Sequence, residues 1–85
     1  MIPDWSNAVE ISLPYICPEN GFIFCYNGTT TPGVAPPSGR LEINGVIGWY
    51  CSGNSNWWTD GATIPVAKND YLSGYSTWLK FIPCK

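Results

Sequence analysis

The sequence predicts an all-β fold, a small antiparallel β-sandwich or barrel-like knob built as one domain over residues 1–85. Short runs in which apolar and polar residues alternate recur along the chain, and this two-residue period is typical of half-buried strands. Glycine and proline, with 9 and 8 residues, interrupt every interval long enough for a helix. Short strands separated by turns at such intervals are typical of sandwiches and small barrels.

The first half of the chain contains two predicted strands and a long connection. Residues 9–13 (VEISL) alternate strictly, and Pro14 ends this strand or places it at a sheet edge, because proline lacks the N–H that a ladder needs. Residues 22–26 (FIFCY) are apolar at every position, as expected for a strand covered on both faces. Residues 27–39 are too rich in glycine, proline and threonine for regular structure.

The second half begins with the clearest hairpin signal in the chain. Asn44-Gly45 separates the strand-like residues 40–43 from residues 46–51. Asn-Gly favours a type I′ turn, because both central positions of that turn need positive φ. The remaining strands are predicted at residues 62–67, 71–72 and 77–84, with a turn at 68–70, and we find no internal repeat or domain boundary.

Charge and composition argue against several classes of protein. The net charge is -2 and the four Lys and Arg residues are scattered, whereas nucleic-acid binding needs clustered basic residues. No apolar run approaches the roughly 20 residues of a membrane span, and we see no leader pattern after Met1. The chain is nevertheless 45% hydrophobic. A domain of only 85 residues does not easily bury so large an apolar fraction. We therefore expect disulfides, a partner surface or self-association to cover the excess.

We expect no enzymatic activity, no cofactor and no metal ion. The sequence lacks histidine, which is both the commonest general base and the commonest metal ligand. Its six carboxylates are spread singly along the chain, so no pair has a reason to share an apolar pocket. The serine and threonine residues have no activating partner beside them.

The sequence leaves open whether its four cysteines form disulfides, remain free thiols or bind a metal. Cys17, Cys25, Cys51 and Cys84 are candidates for disulfides, since an even number of cysteines in a short secreted domain indicates bridges. Cys25 and Cys51 lie in apolar strand runs where any small apolar residue would serve, which favours free buried thiols. A zinc site is the weakest alternative, because there is no CxxC spacing. Cys17 and Cys25 flank a predicted turn and are the first pair to test.

Residues 52–61 (SGNSNWWTDG) place two tryptophans in a predicted loop. Neighbouring side chains of an extended backbone point to opposite faces, so at most one of Trp57 and Trp58 turns inward easily. An exposed large apolar group usually marks a contact site, which predicts a recognition surface here. The alternative is that one ring caps the core while the other packs under a neighbouring loop.

Five segments resemble the small β-structured distal domains of bacteriophage tail fibres. Residues 4–11 (DWSNAVEI), 20–23 (NGFI) and 41–46 (LEINGV) resemble that group in their order along the chain. Residues 64–70 (IPVAKND) resemble its P-V-x-K-G-D turn, and residues 79–85 (LKFIPCK) resemble its closing F-x-P-x-K strand. The likeness spans nearly the whole chain, although each motif is short.

Two departures from the family pattern stand out. Asn69 occupies the place of the usual glycine, which is tolerable because asparagine also accepts positive φ. The four cysteines do not belong to the pattern either, so the resemblance leaves their state open.

The resemblance implies a homotrimeric knob on a virion, at the tip of a tail or other surface fibre, that binds a receptor on the bacterial surface. The chain would then be the C-terminal tip domain of a longer fibre protein. A three-fold interface would bury the excess apolar surface and cover edge strands, and its closed symmetry would prevent open-ended assembly.

The first functional hypothesis is a receptor-binding module that recognises a bacterial surface glycan or protein. Recognition residues tend to lie on loops held by a rigid scaffold. Aromatic faces stack on sugar rings, while Asn and Asp side chains hydrogen-bond hydroxyl groups. The expected ligand-binding residues are Asn54, Asn56, Trp57, Trp58, Asp60 and Tyr75.

Two further hypotheses remain. One is a structural domain for trimerisation or capsid decoration, with an oligomer core formed by the strand residues Trp49, Tyr50, Trp78 and Phe81. It is compatible with the first, because a knob must trimerise before it binds. The other is an extracellular, disulfide-stapled monomeric carbohydrate-binding module, which requires all four cysteines to be paired.

Overall fold

The computed structural model describes residues 2–27, 38–51, 60–75 and 78–85, and the side chains of Cys51 and Asp60 fall outside that description. Within these ranges the chain forms eight strands and one short 3₁₀ helix. The helix is Trp5–Asn7, and the strands are β1 (Val9–Glu10), β2 (Tyr15–Ile16), β3 (Gly21–Asn27), β4 (Gly39–Ile43), β5 (Val46–Cys51), β6 (Asp60–Val66), β7 (Tyr71–Tyr75) and β8 (Trp78–Pro83).

The strands form two four-stranded antiparallel sheets. The first sheet has the order β1-β8-β3-β6 and the second has the order β2-β7-β4-β5. Strands from the two halves of the chain pair in reverse order, β1 with β8, β2 with β7, β3 with β6 and β4 with β5. The chain is therefore wound like one long hairpin rolled into two layers, which is the jelly-roll arrangement of a β-sandwich. The all-β prediction is confirmed.

The core lies between the two sheets and follows the alternation of the strands. Ile23, Leu41 and Leu72 are fully buried at the middle of β3, β4 and β7. The other buried members of the core cluster are Cys17, Cys25, Trp49, Val66, Leu79 and Phe81. Strand β3 is not covered on both faces as its composition suggested, since every second residue of the strand is only partly buried. One face of β3 is therefore available to solvent or to a partner.

The predicted strand over residues 9–13 is shorter in the structure. Only Val9 and Glu10 form a strand, which pairs with β8 in the first sheet. A second short strand, Tyr15 and Ile16, follows Pro14 and pairs with β7 in the second sheet. Pro14 lies between the two strands, where a residue without an N–H group interrupts no ladder. Both sheets therefore have a short outer strand.

The predicted hairpin at Asn44-Gly45 is confirmed. Ile43 and Val46 are cross-strand partners, and the two turn residues have φ values of 53° and 83°. These positive angles are those of a type I′ turn. Asn69 also adopts a positive φ of 73°, as its side chain permits.

Asp70 links the turn between β6 and β7 to this hairpin. One of its carboxylate oxygens accepts a hydrogen bond from the Asn44 side-chain amide at 3.0 Å, and the other accepts one from the Ala67 backbone N–H at 2.8 Å. The side-chain oxygen of Asn44 accepts a further hydrogen bond from the Tyr71 N–H at 2.9 Å. The bond from Ala67 first, and that from Asn44 second, hold the pKa of Asp70 below its usual value.

A β-bulge in β5 decides which aromatic side chain enters the core. Between Leu41 and Glu42 the register of β4 with β5 shifts, so that Gly48 is an extra residue on β5. An extra residue exchanges the faces that the following side chains occupy. Trp49 is consequently buried, whereas Tyr50 lies on the outer face and is 59% exposed.

Candidate functional site

Most of the predicted ligand-binding residues lie outside the residues that the structure describes. This holds for Asn54, Asn56, Trp57 and Trp58, and for the side chain of Asp60, the first residue of β6. The recognition role of residues 52–61 therefore stays a prediction. Tyr75, the remaining member of that set, is the last residue of β7 and is 53% exposed.

The four residues expected in an oligomer core fall into two groups. Trp49 and Phe81 are 8% and 3% exposed and lie in the core of a single chain, so they are not accessible to a partner copy. Trp78 and Tyr50 are 50% and 59% exposed. They belong to different sheets, β8 in the first and β5 in the second, and so lie on opposite sides of the sandwich.

Cys17 is a free thiol buried in the core, so the bridge between Cys17 and Cys25 is not present in this structure. The backbone of Cys17 is fixed on both sides, since its N–H donates to Asp70 O at 3.0 Å and its carbonyl oxygen accepts from Asn69 N at 2.8 Å. Burial first, and the negative charge of Asp70 second, raise the pKa of Cys17 to about 11. The group is therefore a neutral thiol at physiological pH.

The other cysteines lie in different parts of the fold. Cys25 is buried in β3, with its sulfur 3.5 Å from the carbonyl oxygen of Ala62. Cys84 is half-buried and pairs with Pro3 in an isolated bridge, and the side chain of Cys51 is outside the described part. Within the described ranges no three Cys, Asp or Glu side chains come close enough together to hold a metal ion.

The outer face of the first sheet carries four rings in contact, Trp5, Phe24, Tyr26 and Trp78, which we call the aromatic row. The ring centroids of Tyr26 and Trp78 are 4.8 Å apart, and those of Phe24 and Tyr26 are 6.2 Å apart. Trp5 meets Phe24 edge-on at 6.1 Å. These separations are those of favourable aromatic pairs.

Strand alternation and strand pairing explain three members of the aromatic row. Buried and half-buried residues alternate along β3. Phe24 and Tyr26 occupy half-buried positions, which face away from the core. Tyr26 is the cross-strand partner of Trp78 on β8, so the pairing of these two strands brings the rings together.

The fourth member, Trp5, reaches the aromatic row from the 3₁₀ helix. The Asp4 carboxylate accepts hydrogen bonds from the Ser6 hydroxyl at 2.8 Å and from the Asn7 side-chain amide at 2.7 Å. These bonds, Asn7 first and Ser6 next, hold the pKa of Asp4 below its usual value. Residues 4–7 (DWSN) therefore form a braced turn that holds an indole ring against Phe24.

A shallow, open cleft of about 400 Å³ lies along the aromatic row, and its lining residues are Glu10, Phe24, Tyr26, Trp78 and Lys80. Glu10 and Lys80 are cross-strand partners on β1 and β8, and Lys80 is also the cross-strand partner of Phe24 on β3. The described part of the chain contains no ion pair between these two side chains. The cleft thus combines an apolar floor with a positive and a negative group that are both available to a partner.

The outer face of the second sheet carries a different arrangement, which we call the Tyr–Arg–Tyr row. Arg40 of β4 is the cross-strand partner of Tyr75 on β7 and of Tyr50 on β5. Arg40 Nε lies 3.3 Å from Glu42 Oε2 on the same strand. The other exposed apolar residues of the strands of this sheet are Ile16, Val46, Ile47 and Tyr71.

No protein-family model, curated protein or solved structure matches this sequence. Among the described residues, no helix is long and apolar enough to cross a membrane. We therefore argue function from the two outer faces and the cleft.

Sequence reasoning named Trp78 of the aromatic row and two residues of the Tyr–Arg–Tyr row, but it missed Trp5, Phe24, Tyr26 and Arg40. Phe24 and Tyr26 belong to a run that is apolar at every position, so the sequence of that run does not distinguish its inner face from its outer face. Arg40 was part of an ordinary alternating strand. Its position between two tyrosines depends on β4 lying between β5 and β7, a long-range pairing that no local pattern specifies.

Proposed function

We propose that this chain is the receptor-binding tip module of a bacteriophage fibre, which assembles as a homotrimer and recognises a glycan on the bacterial surface. One observation carries the proposal: exposed aromatic side chains occupy both outer faces of a small jelly roll, with Trp78 50% and Tyr75 53% exposed. Apolar patches of this kind usually mark contact sites. The segments that resemble fibre tip domains support the same function and a location on the virion.

The aromatic row supports assembly. An aromatic side chain buries about 150–250 Å² when it is fully covered. Trp5 and Trp78 are each about half exposed, so a partner over the four rings removes on the order of 300 Å² per copy from water. A standard interface buries about 800 Å² per partner, so the row would supply a large part of its apolar centre.

The contacts between the rings favour one outer face for assembly. Both faces carry one acidic and one basic side chain, because Glu10 and Lys80 line the cleft of the aromatic row and Lys80 is the cross-strand partner of Phe24. The four rings of the aromatic row nevertheless follow one another as a continuous apolar strip. Arg40 instead separates the two rings of the Tyr–Arg–Tyr row. We therefore favour the aromatic row as the assembly surface.

Closed symmetry then leaves the second sheet for the receptor. The outer faces of a two-layer sandwich point in opposite directions. An interface that joined one face to the other would stack copies in an open filament, because such a contact does not close on itself. In a closed trimer the aromatic rows gather near the three-fold axis and the second sheets face outward.

Sedimentation velocity on two matched variants tests this division of roles. Trp78→Ser and Tyr75→Ser remove rings of almost equal exposure from opposite sheets. We expect wild type and Tyr75→Ser to sediment as trimers, and Trp78→Ser to sediment as a folded monomer at the same concentration. Trp5→Ser, at a second exposed position of the aromatic row, repeats the test independently. A wild-type monomer, or trimers for both aromatic-row variants, would contradict the proposal.

The two alternative functions make different demands. A purely structural trimerisation or capsid-decoration domain predicts the same assembly but no binding to bacterial surface glycans. A secreted, stapled monomeric module requires paired cysteines, and the free buried thiol of Cys17 does not support it. A denatured, unreduced mass that lacks four hydrogens would favour that alternative.

A further inference from the structure

The Tyr–Arg–Tyr row forms a site in which two aromatic rings flank a donor and an acceptor. Tyr75 and Tyr50 lie one strand away from Arg40 on either side. Neighbouring strands are about 4.8 Å apart, so the backbones of the two tyrosines are roughly 10 Å apart. Within the described residues neither ring stacks on another ring. Both rings are therefore available to a ligand that lies over the guanidinium group.

The polar groups between the rings can bind neighbouring hydroxyls. Arg40 has five N–H donors in a rigid fork, and the carboxylate of Glu42 only accepts. Arg40 Nε is buried and forms no hydrogen bond within the described part of the chain, although it lies 3.3 Å from Glu42 Oε2. The side chains of Arg40 and Glu42 are 39% and 26% exposed, so both remain open to solvent. Ser73, the cross-strand partner of Glu42, adds a hydroxyl group on the other side.

We propose that the Tyr–Arg–Tyr row is the receptor subsite and that it binds a neutral hexopyranose unit of a surface glycan. The apolar C–H face of the sugar stacks on Tyr50 or Tyr75, one hydroxyl accepts from the Arg40 guanidinium, and the neighbouring hydroxyl donates to Glu42. This inference rests on the proposed receptor-binding function and assigns that function to the second sheet.

The charge of the second sheet selects a neutral ligand. Arg40 and Glu42 are the only charged residues in its four strands, and their charges cancel. An acidic sugar would gain attraction from the guanidinium but would meet repulsion from the adjacent carboxylate. A hydroxyl pair uses both groups, because it can donate and accept at once. The site is therefore complementary to a polyhydroxyl ligand without net charge.

The bulge at Gly48 builds this site. Because of the extra residue, Tyr50 lies opposite Arg40 on the outer face, while Trp49 turns into the core. An uninterrupted β5 would place these two aromatic residues on the other faces. Bulges are often found where a strand re-aims a side chain beside a functional site. The irregularity therefore has a functional reason as well as a packing one.

Glycan-array binding of the intact chain tests the inference. The probes are neutral hexose-containing oligosaccharides and matched uronate-containing oligosaccharides, and the proteins are wild type, Tyr50→Ser, Tyr75→Ser and Arg40→Lys. We expect wild type to bind neutral glycans and each variant to lose about tenfold or more in affinity, as for anchor residues of a binding site. Arg40→Lys is included because lysine keeps the charge but loses the planar fork of donors.

The control is Ile16→Ser, which removes an exposed apolar residue of β2 in the same sheet, outside the row. We expect its affinity to stay within about twofold of wild type. Sedimentation and circular dichroism on every variant verify assembly and fold.

The outcomes separate this inference from the function on which it rests. Preference for the acidic glycans, absence of binding to any neutral glycan, or unchanged affinity in the tyrosine variants would each overturn the sugar subsite while leaving assembly intact. A wild-type chain that sediments as a monomer would overturn the trimeric tip module, whatever the array shows. If one tyrosine variant fails to fold, the other tyrosine and Arg40→Lys still decide the matter.

Discussion

Gly74 should be among the least replaceable residues of this fold. It lies in β7 opposite Leu41 and has a φ of 111°, a conformation that L side chains rarely adopt. A Cβ atom at this position would overlap the carbonyl oxygen of Arg40 and lie 3.0 Å from its carbonyl carbon. The obstacle is strand backbone rather than a flexible side chain, so Gly74→Ala must displace β7 from β4.

The cost of Gly74→Ala has two contributions. The backbone conformation alone costs an alanine about 1–3 kcal/mol. The clash with β4 adds to this, because relief requires breaking ladder hydrogen bonds worth about 1 kcal/mol each. We expect a total loss of about 3–5 kcal/mol. The whole domain has a free energy of unfolding of about 4–13 kcal/mol at 0.05–0.15 kcal/mol per residue, so the variant loses a large fraction of its stability.

Gly45→Ala is the matched control for the backbone conformation. Gly45 also has a positive φ, 83°, but nothing lies within 4 Å of an added Cβ atom. Its substitution should cost only about 1–2 kcal/mol. Denaturant unfolding followed by tryptophan fluorescence measures both variants. Equal losses for Gly74→Ala and Gly45→Ala would refute the clash, and with it the β4·β7 register that aligns Tyr75 with Arg40.

Two further predictions concern titratable groups. The pKa of Asp70 is lowered by its bonds with Ala67 and Asn44, so its contribution is present above the ordinary pKa of 3.8 and is lost as pH falls through the lowered value. Asp70→Asn should lower the free energy of unfolding by about 1 kcal/mol at pH 7. In urea unfolding, the variant should also lose less stability on acidification than wild type does, and an equal loss would contradict this. The pKa of Cys17 is raised to about 11 by burial, so stability should fall by about 2–3 kcal/mol as pH rises from about 9 to 11. Peptide mapping after thiol alkylation should show Cys17 protected at pH 8 in the folded protein and modified after unfolding; rapid modification of the native protein would contradict its burial.

Local chemistry was enough to predict the fold class and the sharpest turn. Asn44-Gly45 has few alternatives to a type I′ hairpin, and Asn69 is a residue type that accepts positive φ. The change of sheet between residues 9–10 and residues 15–16 was not predictable in this way. It depends on β1 pairing with β8 and β2 pairing with β7, contacts between the two ends of the chain.

The candidate sites were less predictable than the fold because each depends on which face of a sheet a given side chain occupies. Trp49 and Tyr50 are adjacent aromatic residues in one strand, and composition gives no reason to bury one rather than the other. The bulge at Gly48, set by pairing with β4, makes that choice. Trp5 contributes to the aromatic row because the Asp4 turn holds it against β3 and β8, a contact that becomes visible only in three dimensions.

The trimeric tip module is tested most directly by native mass spectrometry of the wild-type chain over a range of concentrations. For wild type we expect a dominant species of three 9.4 kDa chains. For Trp78→Ser we expect single chains under the same conditions. A wild-type protein that remains a single chain at every concentration would contradict the account.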